Sequence, residues 1–138
     1  MAYLGESIPK LGFGYMRLPR KEQGGYDMKM ICDMVDYFMD NGFTYFDTAY
    51  VYDGGESEKA IYESLVSRYP RERFQLATKL KLPMAGIETA DDVGMELEKS
   101  LERTGAGYFD FYLLHALSGA GIEEYERLGA WDFVKRMK

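Results

Sequence analysis

The sequence predicts an α/β domain with a parallel sheet and helices packed outside it. Three observations predict this. Short runs rich in aromatic and β-branched residues alternate with longer runs of helical period. The second, third and fourth short runs open at Phe43, Phe74 and Phe109, about 31 and then about 35 residues apart, the length of one strand–helix–strand step. No proline- or serine-rich linker and no low-complexity tract divides the 138 residues, so they read as one domain or part of one. An open doubly wound sheet and a closed barrel both satisfy the alternation.

The elements follow in order. A first strand is expected within KLGFGYMRL, Lys10 to Leu18. After a Gly24-Gly25 turn, Asp27 can cap a helix whose apolar positions, Met30, Ile31, Met34, Val35 and Phe38, have helical spacing, and Asn41-Gly42 stops it. The second strand is FTYFDTA, Phe43 to Ala49. Its helix starts near Ser57, with Glu56 and Glu58 read as carboxylates favouring the positive end of the dipole. Ala60, Ile61, Leu65 and Val66 form the inner face of that helix, and Pro70 lies beyond its end. The third strand is FQLATKL, Phe74 to Leu80, followed from about Thr89 by a helix with Val93, Leu97 and Leu101 on one face, closed at Gly105. The fourth strand is FDFYLLH, Phe109 to His115, after which a glycine-containing loop leads to one last helix with Leu128, Trp131, Val134 and Met137.

Composition narrows the function classes. With 46% hydrophobic and 29% charged residues, a packed core is expected rather than disorder. A net charge of −6 argues against a nucleic-acid binder, which needs a basic footprint. The short basic clusters, Arg17, Arg20 and Lys21, then Lys135, Arg136 and Lys138, read as solvated surface. Cys32 is the only cysteine, which rules out an intramolecular disulfide and fits a small buried hydrophobe. The N-terminal MAYLGESIPK lacks the apolar stretch of a signal peptide, and no segment is long enough to span a membrane, so a cytoplasmic protein with no membrane partner is expected.

The polar residues at the strand ends carry the chemistry. Asp47, Lys79 and His115 lie at or near the C-terminal ends of the second, third and fourth strands, and Tyr52 follows in the adjoining loop. In parallel α/β architectures that end is where sites are built. Singly, each residue has a structural explanation: a strand-end Asp caps a turn, a Lys reaches outward, a His is a satisfied ring. Together at one rim they suggest proton donation by a phenol. A phenol titrates near 10 in water, too high for an efficient acid near neutrality, and an adjacent ammonium favours its phenolate. Lys79 can supply that ammonium, Asp47 can hold it, and His115 can donate a hydrogen bond to a carbonyl oxygen. No protein side chain delivers hydride, so such a site requires a nicotinamide cofactor.

Several motifs resemble those of the aldo-keto reductases: LGFG at Leu11 to Gly14, FDTAYVY at Phe46 to Tyr52, GGES-E at Gly54 to Glu58, TK at Thr78-Lys79, and D-F-YLLH at Asp110 to His115, in the family's order. The resemblance implies a (β/α)₈ TIM barrel, of which about four parallel βα units are present, that binds NADPH without a Rossmann domain. It implies that Asp47, Tyr52, Lys79 and His115 form the catalytic tetrad, with Tyr52 as general acid. It also implies that Gly14, Tyr15, Met16 and Arg17, with Asp47, meet the nicotinamide half of the cofactor. No metal site is expected.

GFGYMRLP and FYLLHAL are most similar to a bacterial branch that often carries a C-terminal iron–sulfur ferredoxin-like segment. With one cysteine, these residues hold no such cluster, which would lie in a C-terminal segment. Where many carbonyl-reducing relatives have Trp-Pro after the His, this sequence has Ala116-Leu117.

Residues 1–138 are expected to form a single partial barrel domain, the N-terminal half, since an eight-stranded barrel typically needs about 250 residues. Two function classes follow. One is an NADPH-dependent reductase of small carbonyl or alcohol substrates, with the later phosphate-holding loops in a second half. The other is a non-catalytic truncated barrel, or a cofactor-sensing or interaction module that keeps the signatures. Open sheet edges invite self-association.

Overall fold

The computed structural model describes residues 5–137; Lys138 and the first four residues lie outside them. Four parallel strands form one sheet in the order β1-β2-β3-β4. They are β1 (Gly12–Gly14), β2 (Tyr45–Asp47), β3 (Gln75–Lys81) and β4 (Phe111–His115). Each βα unit returns the chain to the same end of the sheet, so parallel neighbours are sequential neighbours. The register sets Gly14 beside Asp47, Asp47 beside Ala77, Lys79 beside Leu113 and Lys81 beside His115.

The helices are α1 (Met28–Asp40), α2 (Glu56–Ile61), which runs into a π turn at Tyr62–Val66, α3 (Ala90–Thr104), α4 (Gly119–Arg127) and α5 (Ala130–Arg136). Their starts follow local chemistry. The Asp27 side chain accepts from the Met30 N–H at 3.1 Å. Thr89 and Asp92 form a reciprocal capping box on α3. The core lies between the helices and one face of the sheet. Phe46 and Leu76 anchor one cluster with Ile31, Val35, Ile61 and Leu65, and Leu80 anchors another with Val93, Tyr125 and Leu128. No described helix is long and apolar enough to cross a membrane.

Several expectations change. The second strand keeps only Tyr45–Asp47 of Phe43 to Ala49. β1 is shorter than Lys10 to Leu18, because after Gly14 the chain keeps one further bond to β2, Tyr15 N–H to the Asp47 carbonyl at 2.9 Å, and then turns away. The last helix is two helices, broken at Gly129, whose φ of 63° is left-handed. Met30 and Met34 are exposed rather than core, on the flank of α1. Cys32 is half-buried and free.

Gly105 closes α3 at φ 61°, and a Cβ there would lie 2.7 Å from a ring carbon of Tyr62. Gly105→Ala is therefore expected to cost at least about 1 kcal/mol through the left-handed backbone and the displaced ring. A urea midpoint equal to that of the parent would contradict this.

Candidate active site

β2, β3 and β4 each deliver one polar residue to the C-terminal rim. Asp47 ends β2, Lys79 lies near the end of β3, and His115 ends β4. Because strand side chains alternate, these three point away from the helix layer that buries Phe46, Thr48, Thr78 and Leu80. The expected rim cluster is thus brought together. Lys79 Nζ forms an ion pair with Asp47 Oδ1 and donates to the Thr48 carbonyl at 2.7 Å. The pair is largely enclosed, with 11% of the lysine side chain and 27% of the aspartate side chain exposed, so solvent screens it only in part.

Tyr52 completes the cluster. It opens a 3₁₀ turn, Tyr52–Gly55, between β2 and α2. Its ring lies with Lys79 Nζ 4.9 Å from the centroid and meets the His115 ring edge-on at 5.7 Å. Among the described residues its hydroxyl has no hydrogen-bond partner. The turn bends sharply: Asp53, Gly54 and Gly55 all have left-handed φ, of 50°, 61° and 94°. For Asp53 this conformation is strained, and it is held by Arg20 at 2.6 Å and by the Tyr26 hydroxyl. The β1–α1 loop is thereby tied to the residue after Tyr52.

His115 is held from its backbone. Its carbonyl accepts from the Tyr125 hydroxyl at 2.6 Å, and Ala116 then takes a left-handed φ of 53°. Its Nδ1 is buried without a protein partner among the described residues. Burial first, then the charges of Lys79 and Lys81, push its pKa below the ordinary histidine value, with Asp47 opposing. The ring is therefore neutral near pH 7 and can donate a single N–H.

The sign of the pH dependence follows. The folded value lies below the unfolded value near 6.5, so on acidification the unfolded chain takes up the proton first. The stability linked to His115 is present above about pH 6.5 and is lost as pH falls toward the lower folded value. His115→Gln is expected to flatten that part of the Tm-against-pH curve; parallel curves would contradict it.

The predicted nicotinamide-side residues divide. Gly14 is exposed, with nothing within 4 Å of where a Cβ would stand, so a flat ring can approach the backbone there. Met16 and Arg17 are exposed. Tyr15 is fully buried: its hydroxyl shares a 2.7 Å hydrogen bond with Ser64 Oγ, its N–H goes to Asp47, and its carbonyl accepts from Ser57 Oγ at 3.0 Å. Tyr15 can therefore shape the rim but cannot offer its side chain to a ligand.

Sequence reasoning missed a polar network behind the rim. From the sequence Glu58 reads only as a carboxylate favouring the positive end of the helix dipole, but it is fully buried. Its carboxylate accepts from Thr78 Oγ1 at 2.8 Å and from Arg103 Nε at 2.5 Å. Arg103 also donates to Glu96 at 2.7 Å and lies over the Tyr50 ring at 4.4 Å. Thr48 Oγ1 and Ser57 Oγ are 2.7 Å apart. A signal was present: Glu58 stands three and seven residues before Ile61 and Leu65, on the apolar face, where a carboxylate must find a partner.

A run of parallel βα units with its polar groups gathered at the C-terminal rim is the arrangement of (β/α)₈ barrel proteins, and these four units correspond to the N-terminal half of such a barrel. Residues 10–136 match the model of the Aldo/keto reductase family, and the chain belongs to that family. An aldo-keto reductase of Mycobacterium sp. (strain MCS) is 34% identical over 135 residues, which is 97% of this chain and 42% of that protein. The holo form of an aldo-keto reductase from Bacillus halodurans superposes with a TM-score of 0.72 at 26% identity, over 99% of this chain and 46% of its own. An aldo-keto reductase from Klebsiella pneumoniae, solved in complex with NADPH, gives 0.64 at 25%, over 89% of this chain and 42% of its own. The chain thus spans less than half the length of these relatives.

Proposed function

We propose that this chain supplies the catalytic half of an NADPH-dependent reductase of small carbonyl compounds, with Tyr52 as the proton donor. One observation carries the reading: Lys79, held by Asp47 and the Thr48 carbonyl, stands 4.9 Å from the centroid of the Tyr52 ring, with His115 on the same ring's edge. NADPH fits the site's chemistry, since Gly14 leaves the backbone open at the rim and His115 has a buried nitrogen without a protein partner. That fit agrees with a family relative solved with NADPH.

When bound, NADPH would supply the hydride that reaches the carbonyl carbon. The chain's own residues handle the proton. Tyr52 gives its hydroxyl proton to the carbonyl oxygen as negative charge develops there. The Lys79 ammonium stabilises the phenolate left behind, and Asp47 and the Thr48 carbonyl hold Lys79 in place. His115, neutral, donates a hydrogen bond to the same oxygen, the way an uncharged imidazole polarises a carbonyl. Gly14, Met16 and Arg17 would border the nicotinamide. Aldehyde-dependent NADPH oxidation that Tyr52→Phe abolishes supports the assignment; oxidation that survives the substitution rejects it.

The 138 residues taken alone should bind NADPH more weakly than when set in an eight-stranded barrel. They offer the nicotinamide-side loop, but the phosphate-holding loops of barrels follow later strands. Calorimetric titration of both forms tests this, and equal affinity would contradict it. The second reading, a non-catalytic module keeping the family signatures, predicts no aldehyde-dependent oxidation in either form. The edges at β1 and β4, with exposed Leu11, Met16, Leu113 and Leu117 nearby, are where further strands or a second copy would add.

A further inference from the structure

The buried network behind the rim has no part in the proton chemistry, yet all its members but Glu96, which pairs with Arg103, belong to or touch the loop that carries Tyr52 or the strand that carries Lys79. The loop that contains this turn leaves β2 at Thr48 and enters α2 at Glu56, and the hydroxyls of Thr48 and of Ser57, in the first turn of α2, are joined. The next residue, Glu58, is bonded to Thr78, the immediate neighbour of Lys79 on β3. In the middle, the Tyr50 ring lies under the Arg103 guanidinium, and a Cβ on Gly55 would come within 3.2 Å of that ring. The loop is thus fixed at both ends and in the middle, and the Tyr52 ring projects from it between Lys79 and His115.

We propose that Glu58 is a positioning residue: through Thr78 and Arg103 it clamps the Tyr52 turn onto β3, and so sets where the phenol stands relative to Lys79 and His115. This deepens, and rests on, the reading of Tyr52 as proton donor. Packing alone does not account for a carboxylate here. An ion pair with one fully buried partner recovers its desolvation cost only with good geometry, and apolar residues of similar volume often serve stability as well or better. What a bonded carboxylate adds is direction. It holds α2 to β3 through a hydroxyl on the residue next to Lys79, so a shift of α2 along the sheet would move Tyr52 relative to the ammonium. Displacements of about 1 Å at reacting groups can cost roughly 10²-fold in rate.

His115 is the only histidine in the chain, so its ring Hε1 resonance is a single, uncrowded probe of Tyr52 placement. The Tyr52 ring lies against its edge, and Tyr52→Ala defines the resonance position without that ring. In the 138-residue chain, Thr78→Val removes the donor to Glu58 at nearly constant volume. Glu58→Gln keeps an acceptor for Thr78 but loses the charge on Arg103. Both are expected to move the His115 Hε1 resonance toward its Tyr52→Ala position, and Thr78→Ser is expected to restore it. A resonance that stays at the wild-type position while Tm falls would show that the network serves stability only, and would overturn the proposal. Collapse of the dispersed spectrum in both variants would assign the network to folding and overturn it equally. Retained aldehyde reduction in Tyr52→Phe would instead reject the proton-donor reading, and it leaves this resonance test unaffected.

Discussion

Arg103→Ala is expected to destabilise the fold by about 3–5 kcal/mol, the cost of removing one partner from a buried ion pair. Arg103 serves two carboxylates at once, Glu58 with no exposure and Glu96 with 6% of its side chain exposed, while only 18% of its own side chain reaches solvent. Without the guanidinium, both acids remain enclosed by the helix layer with no cation in contact. The stem also covers the Tyr50 ring, so truncation removes packing as well as charge. Arg103→Met keeps most of the stem and isolates the charge contribution. The double variant Glu58→Gln, Arg103→Met should be less damaging than the sum of the singles, because Arg103→Met alone leaves the Glu58 carboxylate without its cation and Glu58→Gln removes that charge. Chemical denaturation at neutral pH measures all four. A loss below about 1 kcal/mol for Arg103→Ala would place this pair with ordinary surface ion pairs and contradict its buried role.

The strand ends were legible because a period of two leaves few choices. FQLATKL places Lys79 on the side opposite Phe74, Leu76 and Leu80, and FTYFDTA places Asp47 opposite Phe46, so Asp47 and Lys79 had to share a face once the strands were parallel. Helix limits were legible where a side chain makes them, as at Asp27 and Thr89, and where glycine ends them, as at Gly105. The short β1 was not, because pairing is decided by the neighbouring strand and Lys10 to Leu18 carries no internal stop. The break between α4 and α5 rests on Gly129, one glycine in an otherwise continuous helical pattern.

The network was hidden for a different reason. Glu58 and Arg103 lie 45 residues apart, and local rules assign a carboxylate at a helix start to the dipole and to solvent. Only the spacing of Glu58 with Ile61 and Leu65 hinted at burial. Tyr15 was similarly ambiguous, since a tyrosine next to a rim glycine can face a ligand or the core; here Ser64 takes its hydroxyl into the core.

Tyr52→Phe is expected to lose about 10² to 10⁴ in the rate of carbonyl reduction while cofactor affinity stays nearly unchanged. The substitution keeps the ring that Lys79 and His115 contact and removes only the oxygen. The proton is needed as charge develops on the carbonyl oxygen, so its loss acts on the transition state rather than on ground-state binding. kcat should therefore fall far more than KM changes. Removing Lys79 would blur this contrast, because Asp47 would lose its ion-pair partner and the rim would rearrange.

The most direct measurement is single-turnover reduction of an aldehyde by these residues joined to four further strand–helix units, with NADPH occupancy matched between wild type and Tyr52→Phe. Matched occupancy removes binding from the comparison, and a single turnover removes product release. A slowing of about 10² or more in the chemical step is the predicted result; equal single-turnover rates would show that the phenol is not the proton donor and that the rim cluster of Asp47, Lys79 and His115 serves another purpose.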